Sequence, residues 1–211
     1  IKEFSPKTRF YFAASSEMFG NTASFPQNEN TKFNPRSAYG ISKVAGYYLT
    51  KNYRDAYNIY ACSGILYNHE SPRRNINFVT RKITNGIALI LEKKIKKIKL
   101  GNINAKRDWG HAKDYVYAMW KMLQLKKPED FVIGTGKLHS VKDFFKISFK
   151  LVNLNYKNFI SIDKKFYRPN DKYKLVANYT KAKKILNWTP KISFKSLIND
   201  MLLNELSRLK K

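Results

Sequence analysis

The sequence predicts an α/β fold in which a parallel β-sheet carries helices on both faces. The apolar run "NIYACSGILY" at 58–67 shows no alternation with polar residues, which is typical of a strand buried on both faces of a parallel sheet. Segments with helical periodicity separate this run from other short apolar runs. Strands that alternate with helices indicate a doubly wound sheet.

The other elements are predicted in chain order. The run "RFYFAASS" at 9–16 is the first predicted strand, and further strands are predicted at 97–101 and 130–136. Helices are predicted at 37–57, 79–93, 112–125, 140–152, 178–188 and 193–209, with Ser140 as an N-cap. On the first helix, five residues share one apolar side: Ala38, Ile41, Ala45, Tyr48 and Leu49. Residues 28–37 and 68–78 are predicted as loops.

The composition narrows the class of protein. With 211 residues, 43% of them hydrophobic, the chain can bury a substantial core as one domain or two small ones. No apolar run reaches the roughly 20 residues needed to span a bilayer, and residues 1–12 lack the apolar segment of a signal peptide. The single cysteine, Cys62, excludes an internal disulfide and is predicted to be a small buried hydrophobe. These features predict a reduced, cytoplasmic protein without a membrane partner.

A formal charge of +26 is compatible with binding nucleic acid without sequence specificity. However, the lysines are spread over the whole chain, and abundant Lys, Asn and Ile with little Gly also indicate AT-rich coding. No RNA-binding aromatic signature accompanies the charge, and the three histidines lie too far apart in sequence to predict a metal site. Coding bias is the favoured explanation of the positive charge. A non-catalytic basic module that binds nucleic acid stays open as an alternative.

In "SAYGISK" (37–43), Tyr39 and Lys43 lie one turn apart on the first predicted helix. Three further pairs share this spacing: Tyr47/Lys51, Tyr117/Lys121 and Tyr179/Lys183. Spacing alone therefore does not identify a catalytic pair. The first strand, however, ends at Ser15–Glu17, and ligands of parallel sheets bind beyond the carboxyl ends of the strands. A neighbouring ammonium favours the phenolate form of a tyrosine, which can then accept a proton from a hydroxyl. The alternative for Ser15–Glu17 is a helix cap or turn.

A strand ending in S-S-E, followed by Y-x-x-x-K on a helix, resembles the extended short-chain dehydrogenases/reductases that act on nucleotide sugars. Three longer stretches make the resemblance more specific: "NHESPRR" (68–74) with "NFVTRKI" (77–83), "RDWGHAKDYV" (107–116), and "FYRP" (166–169) before "TKAKKILNWTP" (180–190). In order and spacing, the chain resembles the GDP-mannose 4,6-dehydratase family over nearly its whole length. The resemblance implies a lyase of deoxysugar synthesis that uses NADP and GDP-mannose and is a homo-oligomer when complete.

The resemblance also implies roles for individual residues. Tyr39 would be the catalytic base, and Lys43 its partner, which also holds the nicotinamide ribose. Glu17 would remove the C5 proton of the sugar, and Ser15 would hydrogen-bond its C4 oxygen, where the family more often has Thr. Tyr47, Tyr117 and Tyr179 match no catalytic position.

Binding positions are implied in the same way. His69 and Arg74 match cofactor-binding positions, alongside Tyr39 and Lys43. Contacts to the GDP moiety are implied for Asn68, Lys82, Arg107, Arg168 and Asp171, the last standing where the family more often has Glu. Two alternatives stay open: a capped loop histidine for His69, and a plain surface ion pair for Arg107–Asp108.

The implied reaction explains why Glu17 matters. Hydride would leave C4 of the sugar for NADP⁺, Glu17 would remove the C5 proton, water would leave C6, and hydride would return to C6. A plain epimerase needs the Tyr–Lys pair but no such Glu. Dehydratases of glucose nucleotides more typically have Asp-Glu where this chain has Ser16–Glu17. Another nucleotide-sugar epimerase or dehydratase is the nearest alternative.

The N-terminal part of the sequence departs from the pattern of the family. It begins at Ile1, and none of its nine glycines forms the G-x-x-G-x-x-G turn that meets a dinucleotide pyrophosphate. A C-terminal portion of the enzyme is therefore expected. Residues 1–67 would be the end of a Rossmann-like NADP-binding domain with the catalytic helix. Residues 68–211 would be a small mixed region that binds the GDP-sugar, with 111–136 returning to the Rossmann-like sheet.

Overall fold

The computed structural model describes residues 1–166 and 174–209, and it has the predicted α/β class. Its strands are β1 (Phe10–Ser15), β2 (Ala61–Leu66), β3 (Asn68–Glu70), β4 (Ile98–Leu100), β5 (Lys106–His111), β6 (Phe131–Ile133), β7 (Leu138–Ser140) and β8 (Ile160–Ile162). Its α-helices are α1 (Ala38–Tyr57), α2 (Val79–Leu91), α3 (Ala112–Met122), α4 (Val141–Lys150), α5 (Thr180–Leu186) and α6 (Phe194–Leu209). None of these helices has both the length and the apolar character needed to cross a bilayer.

The central sheet has the strand order β1–β2–β6, and all its strands are parallel. Every residue of the middle strand β2 is buried, as the apolar run predicts, including Cys62. Alternate residues of the strands pack on opposite faces. Ile65 and Val132 pack with residues of α1, whereas Leu66 and Ile133 pack with residues of α3 and α5. The predicted sheet with helices on both faces is confirmed.

The outer strand β1 is less buried than its apolar sequence suggests. Phe10 and Ala13 are exposed, and only Ala14 and Ser15 at the carboxyl end are buried. Among the described strands, β1 pairs only with β2, so one of its edges is uncovered. The prediction of a buried strand therefore holds only for the carboxyl end of β1, at Ala14 and Ser15.

Helix α1 packs on the central sheet through a side that carries glycines. A Cβ atom at Gly40 would lie 2.7 Å from the carbonyl oxygen of Glu17, and one at Gly46 would overlap the Phe12 ring. The missing side chains therefore let the helix approach β1 closely. The helix begins after Ser37, whose hydroxyl accepts a hydrogen bond from the Gly40 N–H.

The apolar side that the sequence places on α1 does not face the described core. All five of its residues are exposed: Ala38, Ile41, Ala45, Tyr48 and Leu49. Tyr48 and Leu49 are 55% and 61% exposed. The glycine-bearing side of α1 faces the sheet instead, because it fits the sheet more closely.

The second part of the chain contains two smaller sheets. β3 runs parallel to β5, β7 runs antiparallel to β5, and β4 pairs with β8. Buried aromatic and aliphatic residues of α2, α4 and α6 fill the space between these elements. Ser140 caps α4 with a full capping box, as predicted.

Residues 68–70 were expected to be loop, and they form β3 instead. Asn68, His69 and Glu70 are polar and carry no period-2 apolar signal. Their pairing with Trp109, Gly110 and His111 of β5 determines the strand, and that partner is distant in sequence. The division into residues 1–67 and 68–211 stays a prediction.

Candidate active site

A cavity of about 560 Å³ lies at the carboxyl ends of β1 and β2, and we call it the strand-end cavity. The start of α1 and strand β3 form its other walls. Seven of the residues singled out in the sequence line it: Ser15, Glu17, Tyr39, Asn68, His69, Arg74 and Arg107. A separate apolar groove near Phe4 and Phe10 lies at the opposite ends of the strands, away from these residues.

Ser15 ends β1 and is the N-cap of the 3₁₀ turn Ser16–Met18, which contains Glu17. The Ser15 hydroxyl accepts a hydrogen bond from the Glu17 N–H at 3.2 Å. The alternative of a helix cap is thus observed, and the same two side chains also line the cavity. Close contact between the Glu17 carbonyl and Gly40 keeps this turn beside the first turn of α1, which carries Tyr39.

Tyr39 lines the cavity and is 55% exposed. The ammonium of Lys43 lies 5.6 Å from the centre of the Tyr39 ring. It donates a hydrogen bond of 2.9 Å to the carbonyl oxygen of Ala13 in β1. The strand therefore holds the Lys43 charge beside the tyrosine, although Lys43 does not itself line the cavity.

The other tyrosines with a lysine four residues later have different surroundings. Tyr47 packs edge-on against Phe33 with ring centres 5.1 Å apart, and burial raises the pKa of its hydroxyl. Tyr117 stacks on Trp120 at the exposed side of α3, and Tyr179 packs on Trp188. Within the described part of the chain, none of the three lines the strand-end cavity.

His69 lies on β3, so the alternative of a capped loop histidine is wrong. Its Nδ1 is 2.9 Å from the carbonyl oxygen of Tyr67, and its ring stacks on the fully buried Tyr115 ring with centres 4.9 Å apart. Burial lowers the pKa of His69 below its ordinary value. The hydrogen bond to the Tyr67 carbonyl opposes this change, and the charge of Arg74 adds to it.

Arg74 is held between an acid and an aromatic ring. Its Nε lies 3.1 Å from Oε2 of the buried Glu70, an ion pair in which the N–H does not point at the oxygen. Its guanidinium lies 3.5 Å from the centre of the Phe78 ring. Thr80 donates a hydrogen bond of 2.7 Å to the same Glu70 oxygen. Burial raises the pKa of Glu70, and Arg74 and Thr80 oppose that rise.

A second cavity of about 380 Å³, which we call the side cavity, adjoins the first. The two share Asn68, Phe78 and Arg107, so one elongated ligand can reach both. In the side cavity, the Lys82 ammonium lies 3.7 Å from the centre of the Phe166 ring. Burial lowers the pKa of Lys82, and the nearby Asp163 opposes this change.

Arg107 and Asp108 are not the plain surface pair that the sequence left open. Asp108 is buried and accepts hydrogen bonds from the N–H groups of Thr135, Gly136 and Ala177. It anchors β5 at the point where Arg107 enters both cavities. Arg168 and Asp171 lie outside the described residues.

Several cavity-lining residues were not singled out in the sequence: Arg36, Glu70, Asn77, Phe78, Asn102 and Trp109. Two signals could have indicated some of them. Arg36 precedes the N-cap of α1, and Glu70 stands four residues before Arg74 in "NHESPRR". Trp109 gives no such signal, because its position in the cavity depends on the pairing of β5.

Known proteins are similar in sequence to this chain over most of its length. The family model for GDP-mannose 4,6 dehydratase matches residues 1–201. GDP-mannose 4,6 dehydratase 1 of Arabidopsis thaliana is 50% identical over 203 residues, which cover 96% of this chain and 56% of that protein. GDP-mannose 4,6 dehydratase of Dictyostelium discoideum is 47% identical over 221 residues, covering 97% and 62%. The chain thus spans less than two thirds of the length of these curated relatives.

Solved structures share the fold at low identity. RMD from Pseudomonas aeruginosa, complexed with NADPH, superimposes with a TM-score of 0.88 at 19% identity, covering 95% of this chain and 67% of that one. The dTDP-glucose 4,6-dehydratase of Bacillus anthracis, in complex with NAD, has a TM-score of 0.83 at 19% identity, covering 97% and 64%. Because the family model matches nearly all of the sequence and the fold agrees, the chain belongs to the GDP-mannose 4,6-dehydratase family.

Proposed function

We propose that this chain forms the catalytic and sugar-binding portion of an NADP-dependent GDP-mannose 4,6-dehydratase. The reaction converts GDP-mannose to GDP-4-keto-6-deoxymannose and water. One observation carries the proposal: Ser15, Glu17 and Tyr39 meet at one cavity, and a second cavity rich in cations adjoins it. GDP-mannose has the matching shape, with a reactive hexose at one end and an anionic diphosphate further along.

The residues present suit the nicotinamide end of a dinucleotide. An ammonium has three donors, and Lys43 uses one on Ala13, which leaves donors for a ribose hydroxyl. We assign the nicotinamide end to Tyr39, Lys43, His69 and Arg74. When bound, NADP accepts hydride from C4 of the sugar and returns it to C6.

The chain's own residues perform the proton transfers in this proposal. Tyr39, whose ring centre lies 5.6 Å from the Lys43 ammonium, takes the proton of the C4 hydroxyl as general base. Ser15 donates a hydrogen bond to the C4 oxygen and keeps C4 facing Tyr39. Once C4 is a ketone, its neighbouring C5 proton is acidic, and Glu17 removes it. Glu17 passes this proton to the hydroxyl that leaves C6, which departs as water. When hydride returns to C6, C5 takes up a proton in place of the one that it lost, and this balances the proton that Tyr39 received from the C4 hydroxyl.

The GDP moiety is assigned to the side cavity and its border. Arg107 stands where the two cavities meet, and Lys82 stands in the side cavity. A guanidinium suits a diphosphate because it can donate two parallel hydrogen bonds to its oxygens. Asn68 contributes an amide at the same border. Arg168 and Asp171 stay proposals that rest on the family resemblance.

Two further features belong to the proposal. The exposed apolar side of α1, which contains Ile41, Tyr48 and Leu49, supports a homo-oligomer in the complete enzyme. A single buried cysteine suits the reducing cytoplasm.

The test is the product formed from GDP-mannose and NADP⁺. The protein for this test is the chain joined to the part of the Arabidopsis relative that it does not span. A dehydratase releases a keto product whose mass is lower by one water. A product of unchanged mass would instead indicate an epimerase and would contradict the proposal. UDP-glucose is the control substrate, and we expect no product from it.

A further inference from the structure

The two ring nitrogens of His69 have different surroundings. Nδ1 lies 2.9 Å from the carbonyl oxygen of Tyr67. A carbonyl oxygen can only accept, so Nδ1 must carry a hydrogen. Nε2 makes no hydrogen bond to any residue that the structure describes, and His69 lines the strand-end cavity. The Tyr67 carbonyl thus fixes the hydrogen on Nδ1, whereas Nε2 is available to a ligand.

The surroundings of the ring also determine its charge. The guanidinium of Arg74 lines the same cavity and opposes a second positive charge. The ring also stacks on Tyr115, which is fully buried. Burial without an acidic partner disfavours an imidazolium. A neutral ring with its hydrogen on Nδ1 has a lone pair on Nε2.

We infer that His69 acts as a neutral hydrogen-bond acceptor, whose Nε2 receives an uncharged N–H or O–H donor of the ligand. A phosphate diester has no such donor, so phosphate recognition at this cavity falls to the arginines that line it, Arg74 among them. The inference rests on the proposed function, because that function defines which ligands enter the cavity. The donor is a carboxamide or ribose hydroxyl of the dinucleotide, or a hydroxyl of the hexose.

The first test measures the tautomer without any ligand. Long-range ¹H–¹⁵N correlation spectra of the ¹⁵N-labelled 211-residue chain at neutral pH distinguish protonated from unprotonated ring nitrogens. The His69 signals are those that disappear in His69→Asn. We expect a protonated Nδ1 and an unprotonated Nε2. A ring protonated on Nε2, or on both nitrogens, would overturn the inference.

The second test adds NADPH or GDP-mannose, separately, to the same labelled chain joined to the part of the Arabidopsis relative that it does not span. We expect the Nε2 resonance to move toward the protonated position with one of the two ligands, and that ligand is the source of the donor. If neither ligand produces any change in the spectrum, the proposed function itself fails. If a ligand perturbs the neighbouring amides but leaves Nε2 unmoved, only the inference about His69 fails.

Substitution of His69 distinguishes a hydrogen-bond acceptor from a positively charged group at this position. His69→Lys places a positive charge where the inference requires a lone pair. We expect it to weaken binding of the ligand that shifts Nε2 by about tenfold, because a buried donor of the ligand loses its partner. Unchanged or tighter binding in His69→Lys would show that His69 serves as a cation. His139→Lys is the matched control, because His139 also stacks on an aromatic ring but lines neither cavity.

Discussion

Lys43 shows how one side chain can serve both packing and chemistry. Its hydrogen bond to Ala13 joins α1 to β1, and the same ammonium lies beside the Tyr39 ring. Sequence spacing could place Tyr39 and Lys43 one turn apart, but it could not distinguish them from three other pairs. The distinction depends on which pair lies at the carboxyl ends of the strands, and that is a property of the folded sheet.

Replacement of Tyr39 by Phe should remove the proton acceptor and leave the fold intact. Tyr39 is 55% exposed, so its hydroxyl contributes little to stability. We expect the turnover of GDP-mannose to fall by about 10² to 10⁴, which is typical for loss of a positioned general base. Turnover is measured in the chain joined to the rest of a curated relative. Tyr47→Phe is the control, and a larger loss there than in Tyr39→Phe would refute the assignment.

Replacement of Glu17 by Gln should separate the two halves of the reaction. Gln keeps the size of the side chain but cannot accept the C5 proton. We therefore expect hydride to leave C4 while elimination of water stops, so that reduced cofactor accumulates in absorbance measurements. The control is exchange of the C5 proton with deuterated water. Exchange at the wild-type rate in Glu17→Gln would exclude the proposed role.

The helices and strands differ in how well the local sequence predicts them. An apolar run predicts β2, and Ser140 followed by Asp143 predicts the start of α4, because both signals are local. By contrast, β3 consists of three polar residues and is determined by its pairing with β5. The family resemblance implied a role for Arg107 but none for Trp109 or Phe78, although these two stand in the same quoted motifs. The sequence groups apolar residues on one side of α1, but it does not indicate that the side with Gly40 and Gly46 packs on the sheet, because that depends on the close approach of Glu17 and Phe12.

Asp108 gives a test of how β5 is anchored. Its carboxylate accepts three backbone N–H groups and the Thr135 hydroxyl. In Asp108→Asn, the amide NH₂ would face these donors, so we expect the free energy of unfolding to fall by about 3 kcal/mol. Urea denaturation measures the change. Asp55→Asn, at an exposed partner of Arg54, should cost much less, and an equal loss in both variants would contradict this account of β5.

At the scale of the whole molecule, the residues proposed to bind the sugar nucleotide form a more complete set than those proposed to bind the dinucleotide. The two cavities contain cations for a diphosphate, whereas no glycine-rich turn for a dinucleotide pyrophosphate occurs in the sequence. The net charge of +26 adds non-specific attraction for anions but provides no site for adenosine.

We therefore predict that the 211-residue chain by itself binds NADP⁺ weakly and does not turn over GDP-mannose. Lys43, His69 and Arg74 can contact the nicotinamide end, but the pyrophosphate lacks the backbone donors that this fold usually provides. Calorimetric titration with NADP⁺ measures the affinity. A dissociation constant in the micromolar range would show that the dinucleotide is held by residues other than those proposed here.

The central claim is that one site takes hydride from C4 of GDP-mannose and returns it to C6. GDP-mannose with deuterium at C4 tests it directly, with the chain joined to the part of a curated relative that it does not span. The account predicts a 4-keto-6-deoxy product that carries the deuterium at C6, detected by NMR or mass spectrometry. A product that keeps deuterium at C4, or that loses the label to solvent, would contradict it.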